Sequence, residues 1–489
     1  MIHMRYISNR VLVFVAVTLL ASCSLDINED PNNPTTASER EILPIAQVGT
    51  LEALADYPNN ICSSVVQTRV SNRHDNYTLD LSVLTNVWNS ELFSGGLNDL
   101  ETVIKQGSEN ENWHYVGIAQ LLKAYAFSIM VDLWNDIPYS DAFQPDLEVI
   151  EYDLGSEVYN DLILLIGDAK ANLKGASANS PSTDDVIYEG DLAKWEKMAN
   201  TLLMKLYLQT RLVDSDAGSK IQGVITEGGF IADIADDFQL KFGSSSSPEN
   251  RHPLFVIDYV IRLDNRISTY FGNLLYGNND PRIPFYFFNQ TPGEFIGRDA
   301  GNPNGLSQFE DQDIRTFHGV YPSGGAYDDG QGGITNANMG LQGAGTFRMM
   351  TNAQRLFMEA EAVHTLGVQG SADLRTLFED GMREAMKKVN ELGVGATIAD
   401  EDIDAYVNMR LASFDQGTDE EKLRLIMMEK YIHQFGNGIE QFNDWRRTGY
   451  PDNLELVVEI GTIINRFPYP STENPPSRPS NNELVFWDN

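Results

Sequence analysis

Trp113-His-Tyr-Val116-Gly-Ile-Ala-Gln120-Leu-Leu-Lys-Ala124-Tyr-Ala-Phe127-Ser-Ile-Met-Val131-Asp-Leu-Trp134 is the stretch on which the fold turns. Trp113, Val116, Gln120, Ala124, Phe127, Val131 and Trp134 recur at steps of three and four, the spacing of one face of an α-helix. The same spacing runs through residues 156–173, 192–213, 352–366, 372–392 and 420–435. Segments of about fifteen to twenty residues with short connections predict antiparallel helix pairs and a mainly α protein.

Within the third of these segments, Trp195-Glu-Lys-Met198-Ala199-Asn-Thr-Leu202 approximates the opening of a tetratricopeptide helix, with Met, Ala and Leu in place of Leu, Gly and Tyr. No other pair repeats the pattern, so any repeats are degenerate. Between the helical halves, residues 281–345 keep neither a helical nor a strand period and are rich in Gly, Asn, Asp and aromatics. Long loops inside a compact chain are functional or disordered. Phe285, Tyr286, Phe287, Phe288, Phe295, Tyr321 and Tyr327 need burial or a ligand, which argues for order. The expectation is loop with at most a short hairpin. The tail after Asn465, rich in proline, is non-helical.

At the amino terminus, Arg5 and Arg10 bracket the way into an apolar run over residues 11–20, followed by Leu20-Ala21-Ser22-Cys23. That is a secretory leader, too short to span a bilayer, and it ends on a cysteine as a bacterial lipobox does. Cleavage before Cys23 and acylation of that cysteine would anchor the protein to a membrane. Residues 24–38 are polar, acidic and rich in Pro and Asn, an extended tether. The expected organisation is a leader over 1–22, a lipidated tether over 23–40 and one domain over 41–489, with its loop-rich excursion at 281–345.

The chain has 489 residues, 42% of them hydrophobic and 10% aromatic, as a large folded core requires. Its formal net charge of −35 becomes about −37 once Arg5 and Arg10 leave with the leader. Such a field repels phosphate backbones and excludes nucleic acid as a partner. With Cys23 lipidated, Cys62 stands alone, so neither an internal disulfide nor a cysteine-built zinc site is expected.

Two segments have the composition that holds sugars, where C–H faces stack on aromatic rings and planar polar groups reach hydroxyls. The first contains Arg73, Asp75, Asn76, Tyr77, Trp88 and Asn89; Trp88 serves equally well as core. The second is the excursion, where Tyr321 and Tyr327 flank Gly324 and Gly325 and Tyr286 sits beside Asn289 and Gln290. Tyr286, Tyr321 and Tyr327 are expected as ring faces on a shallow surface, with one or two of the 285–288 aromatics in the core. Trp445-Arg446-Arg447, Trp134 and Asp136 are read as structural.

No His-Glu-x-x-His, nucleophile elbow or P-loop occurs. Asp400-Glu-Asp402-Ile-Asp404 opens like a calcium loop, but Ala405 and Leu411 stand where glycine and the final acid belong. No cofactor or metal is expected. Two carboxylates suffice for glycoside hydrolysis, and with 70 acidic residues that alternative stays open. So does a pure interaction scaffold.

Several strings, in order along nearly the whole mature chain, resemble the SusD/RagB family of outer-membrane nutrient-binding lipoproteins. They are the start Cys23-Ser-Leu-Asp26-Ile-Asn28-Glu-Asp30-Pro31, the phrase Trp134-Asn135-Asp136-Ile137-Pro138-Tyr139, Asp280-Pro281-Arg282, Asp444-Trp445-Arg446-Arg447, and the ending Arg466-Phe467-Pro468-Tyr469-Pro470. Trp134-Asn135 replaces the family's usual Phe-Gly. The resemblance implies four tetratricopeptide-like helix pairs with irregular loops, and no catalysis. It also implies a lipoprotein facing the cell exterior that captures oligosaccharide, or peptide in RagB-like members, and hands it to a SusC-like TonB-dependent transporter.

Overall fold

The computed structural model of the chain describes residues 37–71, 81–144, 146–261, 265–300, 314–333, 340–454, 464–470, 472 and 484–488. Its α-helices of six residues or more are α1 (Glu39–Ala55), α2 (Tyr57–Val65), α3 (Leu81–Asn86), α4 (Leu97–Glu109), α5 (Trp113–Trp134), α6 (Gly155–Lys174) and α7 (Leu192–Gln209). After these come α8 (Ala217–Glu227), α9 (Thr269–Gly277), α10 (Asn352–Leu366), α11 (Leu374–Asn390), α12 (Asp400–Gln416), α13 (Asp419–His433) and α14 (Gly438–Thr448). A π-helical turn, Val87–Gly96, joins α3 to α4. The strands are β1 (Arg69–Ser71), β2 (Phe238–Lys241), β3 (Asn265–Ile267), β4 (Phe287–Phe288), β5 (Phe317–His318) and β6 (Thr346–Met350).

Local chemistry fixes the helix ends. Thr418 caps α13, with the Glu421 carboxylate accepting from its N–H at 2.7 Å. The Asp191 carboxylate accepts from the N–H groups of Ala193 and Lys194 to start α7. Gly367 and Gly449 end α10 and α14 at φ of 65° and 78°.

Helix α5 is long and apolar enough to cross a membrane, yet 89% of its apolar window is buried in protein. It is the axis of the core, buried on nearly every side and packed against α4, α6 and α7. Further pairs form between α7 and α8, α10 and α11, and α10 and α13. The protein is mainly α, as its periodicity predicts. Sheet is limited, among the described residues, to three two-stranded antiparallel ladders, β1–β3, β2–β6 and β4–β5. The short hairpin expected in the excursion is instead a long-range ladder, pairing Phe287 with His318.

The described residues of the excursion fold inward, and this corrects the sequence reading. Phe285, Tyr286, Phe287 and Phe288 are all core, where one or two were expected. Tyr286 stacks on Tyr321 at 4.7 Å between centroids and on Phe435 at 5.0 Å, while the Arg348 guanidinium covers Tyr321 at 4.0 Å. With Tyr321 only 2% exposed and Tyr286 fully buried, neither offers a ring face at the surface. Partners from β6 and from the end of α13 cover them.

Charges also enter the core, in pairs. Arg447 is ion-paired with Glu361 and Asp444, and Lys205 lies 3.0 Å from Glu440 and 3.6 Å from Asp132. Arg446 donates to the Asp132 carbonyl at 2.7 Å. Trp134 is buried and donates to the Pro468 carbonyl, and Asp136 accepts from the Gly155 N–H. The structural reading of these residues stands. Such pairs hold one arrangement, since removing one partner strands a buried charge.

Candidate functional site

Two open depressions interrupt the surface where predicted residues lie. The first, of about 760 Å³, is lined by Trp88, Asn89, Phe93, Ser94 and Asn98 from the π-helical turn and α4, and by Pro138, Ala142, Phe143, Gln144, Leu147 and Ile150 from the segment after α5. Trp88 is 2% exposed and belongs to the core, wedged edge-on against Trp134 at 5.0 Å and tilted on Phe93 at 5.2 Å. It forms the depression's back wall. The half-buried rings of Phe93 and Phe143 form its accessible aromatic surface, flanked by the side-chain amides of Asn89, Asn98 and Gln144.

That surface is held from below. Lys123 pairs with Glu101 at 2.7 Å, and its ammonium lies 5.5 to 5.9 Å from the ring centroids of Phe127, Tyr139 and Phe143. Asp153 closes the base of the 138–153 segment by accepting from the Tyr139 and Ser140 N–H groups at 3.0 and 2.9 Å. The segment's tip then exposes Leu147 (45%), Val149 and Ile150. On the same π-helical turn, Glu91 faces Asp56, whose carboxyl is pushed up to about 7 by burial and by the charges of Glu91 and Glu52.

A second depression, of about 540 Å³, holds Tyr327. Its ring is half-buried and leans on Phe285, 5.1 Å away, with Asn278, Asn279, Thr397, Asp402, Tyr406 and Met409 around it. Trp88 and Asn89 therefore lie in one depression and Tyr327 in another, while Tyr286 and Tyr321 lie in neither. Arg73, Asp75, Asn76 and Tyr77 fall outside the described residues, as does Cys23.

Sequence reasoning missed Phe93, Phe143, Asn98 and Gln144 at the first depression. The signal available was Phe143 following the Pro138-Tyr139 phrase, and an aromatic five residues after Trp88, which only a π-helical turn brings to the same side. At the second depression it missed Asn279 and Asp402. Asp402, read there as part of a failed calcium loop, lies in the first turn of α12.

One buried cluster has the connectivity of a catalytic triad. The His318 ring nitrogens lie 2.5 Å from an Asp258 carboxylate oxygen and 2.9 Å from Ser323 Oγ. Catalysis needs a reacting atom beside the nucleophile. Ser323 and Asp258 are fully buried and His318 nearly so, and neither depression is lined by any of them. Asp258 also accepts from the Asn265 N–H at 3.0 Å, so the cluster ties β3 and β5 to the turn Val256–Ile261. Among the described residues, no group of three or more His, Cys, Asp or Glu is placed to hold a metal ion.

Solved structures share this architecture. A SusD-like protein of Bacteroidetes superposes with a TM-score of 0.75 at 16% identity, covering 92% of this chain and 100% of that one. A SusD/RagB family protein of Bacteroides thetaiotaomicron gives 0.71 at 21% identity, over 89% and 94%. A chitin-binding SusD homologue of Flavobacterium johnsoniae gives 0.66 at 20%, over 85% and 86%. No curated protein matches the sequence. The SusD-like family, described as starch-binding and associating with the outer membrane, matches residues 31–470. That match spans most of the chain, and the chain belongs to the SusD-like family.

Proposed function

We propose that this chain captures oligosaccharides outside the cell at the 760 Å³ depression and passes them to a SusC-like TonB-dependent transporter, held to the outer membrane through Cys23. The observation that carries the reading is the meeting of the Phe93 and Phe143 rings with the amides of Asn89, Asn98 and Gln144 in one open concavity. A pyranose presents C–H bonds on its faces and hydroxyls at its edge, which this pairing of groups complements. The family description and the chitin-binding name of one structural relative point to the same ligand class. Arg73, Asp75, Asn76 and Tyr77 remain in the proposal on sequence grounds as further polar contacts.

Each ring contact is worth about 0.5–1.5 kcal/mol beyond area burial. Two rings with several hydrogen bonds therefore suit a dissociation constant on the order of micromolar or weaker. Isothermal titration with maltoheptaose and with chitohexaose is the test. Phe143→Ala and Asn98→Ala should each weaken binding about tenfold with the helical circular dichroism of the folded protein kept at the assay temperature. Full affinity in both variants refutes the assignment.

A further inference from the structure

We propose that the Tyr327 depression is a second glycan-binding site, selective for neutral sugars and independent of the first; the choice of sugar as ligand class rests on the function proposed above. The two depressions share no lining residue. The second is built where three segments distant in sequence converge: the turn after α9, the glycine-rich segment around Tyr327, and the first half of α12.

Its floor is rigid. Arg282 is fully buried and grips Asp280 through two contacts, at 2.8 and 2.5 Å, and Glu429 through a third at 3.1 Å. Glu429 in turn accepts from the Tyr406 hydroxyl at 2.7 Å. Arg282 stands between Pro281 and Pro284 in sequence and also donates to the Tyr406 hydroxyl at 3.3 Å, so the network ties the segment carrying both prolines to α12, and the depression's walls are joined before any ligand arrives. Binding then orders little of the protein, which favours affinity.

Its lining is chemically specific. Tyr327 rests one side of its ring against Phe285 and is half-exposed. Among the described residues, neither the Tyr327 hydroxyl nor the Asn279 amide makes a hydrogen bond. Asn279 sits at φ 49°, a left-handed conformation uncommon outside glycine and retained most often by Asn and Asp. The rim adds the Thr397 hydroxyl, the exposed Asp402 carboxylate and the 39%-exposed Met409. An aromatic face, a free amide, a hydroxyl and a carboxylate match an uncharged, hydroxyl-rich ring. No Lys, Arg or His lines the depression, and Asp402 projects negative charge into it, so uronic acids and phosphorylated sugars are excluded.

The test uses the full mature chain, with native mass spectrometry to count bound ligand and isothermal titration for affinity. The probes are neutral malto-, chito-, xylo- and manno-trisaccharides, with a galacturonate trimer as the anionic comparison. The expected result is two equivalents of at least one neutral trisaccharide on the wild type. Tyr327→Ala and Asn279→Gly should each remove one equivalent or weaken it tenfold, with unfolding unchanged. Glycine keeps the left-handed backbone at 279, so that variant tests the amide without disturbing the turn. Phe143→Ala should remove the other equivalent. One equivalent lost in Phe143→Ala and untouched by Tyr327→Ala overturns the second site and leaves the first standing. One equivalent lost only in Tyr327→Ala and Asn279→Gly overturns the first and sustains the second. Galacturonate bound in a Tyr327-dependent way overturns the neutral selectivity, and no neutral sugar bound at all overturns both sites.

Discussion

Asp56 carries a carboxylate that its surroundings oppose. Burial is the largest cause, followed by the charges of Glu91 and Glu52, and together they raise its pKa from 3.8 to about 7. One of its oxygens is buried with no hydrogen-bond partner. In the unfolded chain the group ionises near its ordinary value, so between about pH 4 and pH 7 the folded state holds more protons than the unfolded one. Stability from this residue is therefore intact below pH 4, falls as pH rises, and is at its lowest above pH 7. Asp56→Asn should stabilise the protein by about 1–3 kcal/mol at pH 8. The gain should shrink toward zero near pH 4, read as urea midpoints across that range. A gain that is flat with pH would show that Asp56 is not the titrating group. The tyrosines of the excursion show why site residues were hard to read from sequence. Tyr321 and Tyr327 look alike, each beside flexible glycine, yet one lies under Arg348 and the other faces solvent at the second depression. What separates them is the Arg348 guanidinium on β6 and the Tyr286 ring, and nothing local to either tyrosine encodes those contacts.

Elements were legible where their own period and caps decide them. The segment read as 352–366 is α10, Asn352–Leu366, and 156–173 is α6 to within one residue at each end. In both, Thr351 or Glu157 at the start and glycine at the end supply local punctuation. The packing of one helix on another was not legible, because it depends on where small residues meet. Helices α2 and α14 cross at Gly438, where an added Cβ would lie 2.2 Å from Ser63 Oγ and 2.5 Å from Ser63 N. Asn59 locks the same crossing, its amide oxygen accepting from the Gly438 N–H at 2.6 Å and its nitrogen donating to the Gly436 carbonyl at 3.1 Å. Gly438→Ala should push the helices apart and cost about 1–3 kcal/mol of unfolding free energy. Gly167, exposed in the middle of α6 with nothing within 4 Å of its would-be Cβ, is the contrast. Gly167→Ala should stabilise by about 0.5–1 kcal/mol through helix propensity alone. Equal effects at the two positions in chemical denaturation would show that the close approach at Ser63 carries no weight.

At the scale of the molecule, the proposed membrane attachment rests on one residue. The single helix among those described that could cross a bilayer, α5, is buried in the core and has no surface left for lipid. The net charge of −35 opposes adhesion to anionic headgroups, and electrostatics cannot substitute for an anchor. The apolar tip at Leu147, Val149 and Ile150 is a few side chains, interleaved with Glu148 and Glu151, and too small to hold a large acidic body at an interface. Cys23 is therefore the residue we propose as the anchor. Cys23→Ala should move the protein from the detergent-rich to the aqueous phase of a detergent partition. Its glycan affinity should stay within twofold of the wild type, because among the described residues every one that lines either depression lies at or beyond Trp88 in sequence. Retention of that variant on membranes through high-salt and carbonate washes would show that the folded domain holds the membrane by itself, against everything its charge and burial imply.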